Sequence, residues 1–153
     1  GVEVGNDCLA RLAQLPRIIG LKDATSDLQR VTTLRALVPE DFILLSGQDD
    51  TAVGFLAHGG KGCISVTANI APGLCAQLHN AWREKDLEKF SQMRDKIHPL
   101  HRVLFCETSP GPVKYAASLL GWCSAQVREP LIEVSQTTKE NVQRVLKQVG
   151  LLK

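Results

Sequence analysis

A chain of 153 residues, 44% hydrophobic and 22% charged, has the composition of a globular protein with a sizeable core. Its 18 basic and 16 acidic residues are well mixed and leave a net charge of +2, and no basic cluster interleaves with aromatics, which argues against a nucleic-acid partner. No apolar run is long enough to cross a bilayer and no signal peptide opens the chain, so no membrane partner and a cytoplasmic location are expected.

The opening Gly1-Val2-Glu3-Val4 lacks an initiator Met and reads as the middle of a longer sequence. Asp7 to Leu15 has the pattern of a helix whose own preceding strand is absent. Three short apolar runs follow: Ile18-Ile19-Gly20-Leu21, Phe42-Ile43-Leu44-Leu45 and Cys63-Ile64-Ser65-Val66. They are continuous rather than alternating, the signature of parallel strands buried on both faces.

Helical patterns separate the runs. Thr25 or Ser26 is the expected cap of a helix carrying Val31, Leu34, Ala36 and Leu37. Asp49-Asp50 is placed to cap the next, through Ala52, Phe55 and Leu56 to a stop at Gly59-Gly60. Asn69-Ile70-Ala71-Pro72 opens a third, through Leu78 and Trp82, with Pro72 in the first turn where its missing N–H costs nothing.

Beyond Glu84 the strand signal disappears. A long helix is expected from Leu87 to about Leu104 with a kink at Pro99, and another from near Pro110 to Gly121. The last opens on the capping box Thr137-x-x-Glu140, carries Val142, Val145, Leu146 and Val149, and closes at Gly150. This βα rhythm predicts a parallel α/β fold, part of a (β/α)8 barrel over residues 1–84, followed by a helical domain over 85–153. A complete barrel needs about 250 residues, so the chain supplies part of one.

Five cysteines without a CxxC pair read as reduced thiols of a cytosolic protein, several of them buried. His98 and His101, three apart on one helix, have no acidic or Cys partner at ligand spacing, so no metal site is expected. Gly59-Gly60-Lys61-Gly62 fails as a P-loop, because Phe55 and Gly62 stand where the motif needs Gly and Ser or Thr.

Lys22 is the residue with most chemical promise. It ends the first apolar run, and in parallel α/β folds the C-terminal strand ends carry the active site. An amine beside a low-dielectric core is a nucleophile suited to Schiff-base formation with a ketone; the plain alternative is a lysine reaching from a strand end to solvent. Gly47, after the second strand, allows close approach of backbone to a ligand. Phosphate binding by the loops after the last strands is a rival reading.

Four segments in order, Gly20-Leu21-Lys22-Asp23-Ala24-Thr25, Leu45-Ser46-Gly47-Gln48-Asp49, Gly62-Cys63-Ile64-Ser65-Val66-Thr67-Ala68-Asn69 and Glu107-Thr108-Ser109-Pro110-Gly111-Pro112-Val113-Lys114-Tyr115, resemble the dihydrodipicolinate synthase (4-hydroxy-tetrahydrodipicolinate synthase) family of the N-acetylneuraminate lyase superfamily. The resemblance runs across essentially the whole chain. It implies the last three strands of a (β/α)8 barrel with a C-terminal helical domain. It also implies a lyase that condenses pyruvate with aspartate semialdehyde in lysine biosynthesis, without a metal or organic cofactor.

By the same resemblance Lys22 matches the imine-forming lysine, Ile64 a backbone contact to pyruvate, and Gly47 a position lining the second-substrate pocket. Ser109 stands where many relatives carry Asn. Tyr115 is expected to pack rather than react. The proton-relay tyrosine and its partners, the carboxylate-binding threonines and the substrate arginine would precede Gly1, so this stretch alone is expected to be inactive. A homo-oligomer, dimer or tetramer, is implied for the full-length protein. A sister pyruvate aldolase acting on N-acetylneuraminate or sugar acids, and a non-catalytic relative, remain open readings.

Overall fold

The structure is a computed structural model and describes residues 2–153. The chain divides into two compact units, Gly1–Ser65 and Val66–Lys153.

In the first unit, α1 (Asn6–Leu12) precedes β1 (Gly20–Asp23), α2 (Leu28–Leu37), β2 (Ile43–Ser46), α3 (Ala52–Ala57) and β3 (Gly62–Cys63). The strands form one parallel sheet in the order β1-β2-β3. Each begins or ends a residue or two away from the apolar run that announced it. β1 takes in Lys22 and Asp23, whereas β3 is over before Ser65 and Val66. Backbone pairing, rather than hydropathy, sets those limits: Lys22 pairs with Leu45 and Asp23 with Ser46, while β3 pairs through Gly62 and Cys63.

The helix-facing side of the sheet is dry. Leu44 is buried with Leu9, Val31, Leu34, Phe42 and Phe55, and Leu21 packs against that cluster. The opposite face is uncovered, contrary to the expectation of strands buried on both sides: Ile43 is 38% and Ile64 48% exposed. Three strands cannot curl into a closed wall, so the side chains that would fill a barrel interior meet solvent here.

The caps differ from those expected. Asp27, not Thr25 or Ser26, caps α2 by accepting from the Arg30 N–H at 3.2 Å. Ser26 adopts a left-handed φ of 63°. Asp49 does not cap α3, whose N-cap residue Thr51 makes no side-chain bond; its carboxylate accepts from the Ser65 hydroxyl instead.

The second unit opens with a 3-10 turn, Thr67–Asn69, and continues as α4 (Pro72–Arg83), α5 (Leu87–Val103), α6 (Gly111–Leu119) and α7 (Gln136–Gln148). Ile70, Leu78, Ala81, Ile97, Leu100, Leu104, Ala116, Val142 and Leu146 form its buried interior. Helix α5 runs through Pro99 as one element, with Asp86 capping it by accepting from the Lys89 N–H at 3.0 Å.

Helix α7 starts earlier than the sequence pattern indicated. Its cap is Ser135, whose hydroxyl accepts from the Thr138 N–H at 3.2 Å, rather than Thr137. Glu107 explains the choice, since its carboxylate accepts from both the Ser135 hydroxyl, at 2.6 Å, and the Ser135 N–H, at 3.1 Å. These bonds hold the Glu107 carboxyl below the ordinary carboxylate range, the Ser135 hydroxyl contributing most and Thr138 next. Gly150, at φ 79°, ends α7 as anticipated, in a conformation that L side chains resist.

Candidate functional site

Alternation along the strands sorts the residues of the first unit into two faces. Leu21 and Asp23, Leu44 and Ser46 point toward the helices, Leu21 and Leu44 into the core cluster and Asp23 and Ser46 buried beside them. Lys22, Leu45 and Gly62, paired across the sheet in one row, point to the open face, and Lys22 is exposed there. The ladder continues one residue past β3, where the Ile64 N–H donates to the Ser46 carbonyl at 2.8 Å, so Ile64 reaches the same face.

The Lys22 stem lies close beside Gly47. A β-carbon built on Gly47 would stand 2.8 Å from Lys22 Cε, 3.2 Å from its Cγ and 2.9 Å from the Ala24 Cβ. The lysine stem therefore runs across the backbone of residue 47, where a β-carbon would oblige the stem and Ala24 to shift. The Gly47 N–H donates to the Asp23 carbonyl at 2.6 Å, which fixes the turn after β2 against the end of β1.

Asp23 carries the strand end. Its Oδ1 accepts from the Thr25 N–H at 2.8 Å and the Thr25 hydroxyl at 2.7 Å. Its Oδ2 faces Arg30 Nε at 3.5 Å, both side chains being more than nine-tenths buried. Arg30 also donates from Nη1 to Glu3 Oε1 at 3.1 Å and from Nη2 to the Val4 carbonyl. Sequence reasoning missed this pair. Arg30 lies among polar residues of a helix, and nothing in its spacing distinguishes it from a solvated one. The Asp49–Ser65 hydrogen bond, likewise unforeseen, joins the loops after β2 and β3.

The structure thus brings Lys22, Gly47 and Ile64 together on one face at the C-terminal ends of the strands. Ser109 lies in the second unit, exposed, in a cis peptide with Pro110. Tyr115 takes a hydrogen bond from the Gln143 amide at 2.9 Å and lies under Lys139, whose Nζ is 5.9 Å from the ring centroid, tying α6 to α7. His98 is exposed while His101 is buried with its Nδ1 2.8 Å from the Thr67 hydroxyl, so the two do not share a ligand face. Among the described residues no group of His, Cys, Asp or Glu is arranged to hold a metal, and no helix is long and apolar enough to cross a membrane. The expectation of several buried cysteines fails. Cys8, Cys106 and Cys123 are exposed and Cys63 and Cys75 are half-buried; Cys106 and Cys123 lie in loops, outside any helix or strand.

A sequence model of the Dihydrodipicolinate synthetase family matches residues 1–149. The chain belongs to that family. It is 53% identical over 151 residues to the 4-hydroxy-tetrahydrodipicolinate synthase of Rhodospirillum centenum, covering 99% of this chain and 52% of that one. Among solved structures, the dihydrodipicolinate synthase of Aquifex aeolicus superimposes with a TM-score of 0.94 at 34% identity, over 97% of this chain and 51% of that one. The chloride-inhibited enzyme of Acinetobacter baumannii, crystallised with pyruvate, does so with a TM-score of 0.89 at 37% identity, over 96% of this chain and 50% of that one. The chain spans about half the length of these relatives, and its three βα units are a portion of an α/β barrel of the TIM type.

Proposed function

We propose that the full-length protein carrying this chain is a Schiff-base lyase that condenses pyruvate with aspartate semialdehyde to 4-hydroxy-tetrahydrodipicolinate, with Lys22 as the covalent residue. The observation that carries this reading is the course of Lys22: its stem is threaded over Gly47 onto the open sheet face, at the strand ends where barrel enzymes do their chemistry. A relative crystallised with pyruvate supports the choice of ketone.

The neutral amine of Lys22 attacks the keto carbon of pyruvate, and loss of water leaves an imine. Loss of a methyl proton converts the imine into an enamine, whose carbon attacks the aldehyde. Water then cleaves the lysine–substrate bond, freeing the lysine amine and the product ketone, and the substrate amine condenses with that ketone, losing water, to close the ring. Ile64, on the same face as Lys22, offers its backbone to the ketoacid, and Gly47 leaves room for the second substrate. Ser109, which stands where many relatives carry Asn, is assigned a polar contact to substrate. The relay groups for the protons belong to the remainder of the full-length protein, whose expected state is a cytoplasmic homo-oligomer needing no cofactor.

A coupled assay on the full-length protein tests the substrate assignment. Turnover of pyruvate with aspartate semialdehyde should exceed cleavage of N-acetylneuraminate or of sugar-acid aldols; the reverse order would assign the protein to a sister aldolase with the same lysine chemistry.

A further inference from the structure

We infer that the buried ion pair between Asp23 and Arg30 is a positioning device that sets the aim of Lys22; the inference rests on the imine reading above and adds residues to it. Lys22 and Asp23 are neighbours on β1 whose side chains leave opposite faces of the sheet. Any roll of the strand end therefore moves both together. The Asp23 side is held at three points: Oδ1 by Thr25, Oδ2 by Arg30, and the carbonyl by the Gly47 N–H, which belongs to the very residue the Lys22 stem crosses.

Arg30 is itself fixed. It sits on α2 and is gripped by Glu3 and the Val4 carbonyl. Asp23 Oδ2 and Arg30 Nε are buried and make no hydrogen bond elsewhere among the described residues, so these two atoms, 3.5 Å apart, have only each other for electrostatic compensation. Removing one partner strands a buried charge, and the cheapest relief is for the survivor to turn toward water. For Asp23 that turn rolls β1 and carries Lys22 off its line over Gly47; with both charges gone no charge is stranded, but the strand end loses its tie to α2 and Lys22 loses its fixed line all the same. Neither side chain touches substrate; both are positioning residues.

The test uses the full-length protein with Arg30→Met and the double variant Asp23→Asn/Arg30→Met. The double variant removes both buried charges, so its fold should recover even where the single variant is destabilised. Two readouts are taken below the melting transition: the rate of borohydride-trapped pyruvate adduct at Lys22, and acetic anhydride labelling of Lys22 relative to the exposed Lys61. Both variants should trap between about tenfold and about a hundredfold more slowly at saturating pyruvate, the scale of a misplaced reacting group, with the half-saturating concentration little changed. The Lys22-to-Lys61 labelling ratio should shift in both. The inference is overturned if the ratio stays at the wild-type value, if the double variant traps at the wild-type rate, or if losses simply track the unfolded fraction. Should wild type form no pyruvate adduct, the imine reading falls, and the labelling ratio alone decides whether the pair aims the lysine.

Discussion

Lys22 and Gly47 are matched as stem and groove: the Cε of the lysine lies 2.8 Å from the point where any other residue at position 47 would place its β-carbon. A glycine after β2 is thereby tied to the Lys22 stem on β1, across a parallel pairing in which Lys22 is level with Leu45.

The first prediction follows from that contact. Gly47→Ala should push the Lys22 stem aside, because Ala24 closes the other flank at 2.9 Å. Overpacking of this kind costs about 1–3 kcal/mol of stability. Adduct formation at Lys22 should slow by about tenfold or more, since reacting groups tolerate little displacement. Urea denaturation and borohydride trapping of the full-length variant measure the two effects; unchanged trapping would show that the lysine does not use the groove.

A second prediction concerns acid. The Ser135 hydroxyl, with Thr138, holds the Glu107 carboxyl below its ordinary value near 4.5. A lowered folded-state value means that this contribution to stability is present in full above the unfolded value and is lost as the pH falls through the folded one. Glu107→Gln should therefore be less stable than wild type near neutrality, and the difference should shrink to nothing as the pH drops well below about 4.5. Paired thermal melts of the two proteins across that range make the comparison. A difference that persisted in acid would remove Glu107 from its role at the cap of α7.

Leu146 offers a third test, confined to packing. It is fully buried on α7, and alanine is a good helix former, so Leu146→Ala isolates the cavity left behind. The loss should be about 2–5 kcal/mol, read as a drop in the denaturation midpoint at an unchanged slope. A change below about 1 kcal/mol would mean that the second unit collapses around the void.

Much of this architecture was readable from hydropathy and spacing, and the failures have physical causes. The helices of the second unit and the three βα repeats follow from apolar periodicity, which burial enforces. Cap positions were less legible, because a cap depends on what else competes for the side chain. Ser135 prevails over Thr137 because Glu107 orders it, and Asp49 is taken by Ser65. Gly47 could be marked as a permissive position, yet the passage of Lys22 beside it is a contact between β1 and the turn after β2. The Asp23–Arg30 pair was invisible for a related cause: a buried arginine on a helix looks like a solvated one until the tertiary partner is known.

The central claim is that Lys22 forms the imine, and trapping tests it most directly. The full-length protein is incubated with pyruvate, reduced with borohydride and digested, and the adduct is located by peptide mass, alongside the Lys22→Arg variant. Arginine is of similar reach but stays protonated at any working pH, so it cannot supply the electron pair that attack on a ketone needs. The variant should keep a wild-type secondary-structure spectrum and lose turnover by more than about a thousandfold, the scale on which removing a covalent nucleophile acts. The predicted result is an adduct on Lys22 in wild type and none in the variant. An adduct on Lys61 or Lys114, or undiminished trapping in the variant, would contradict the account.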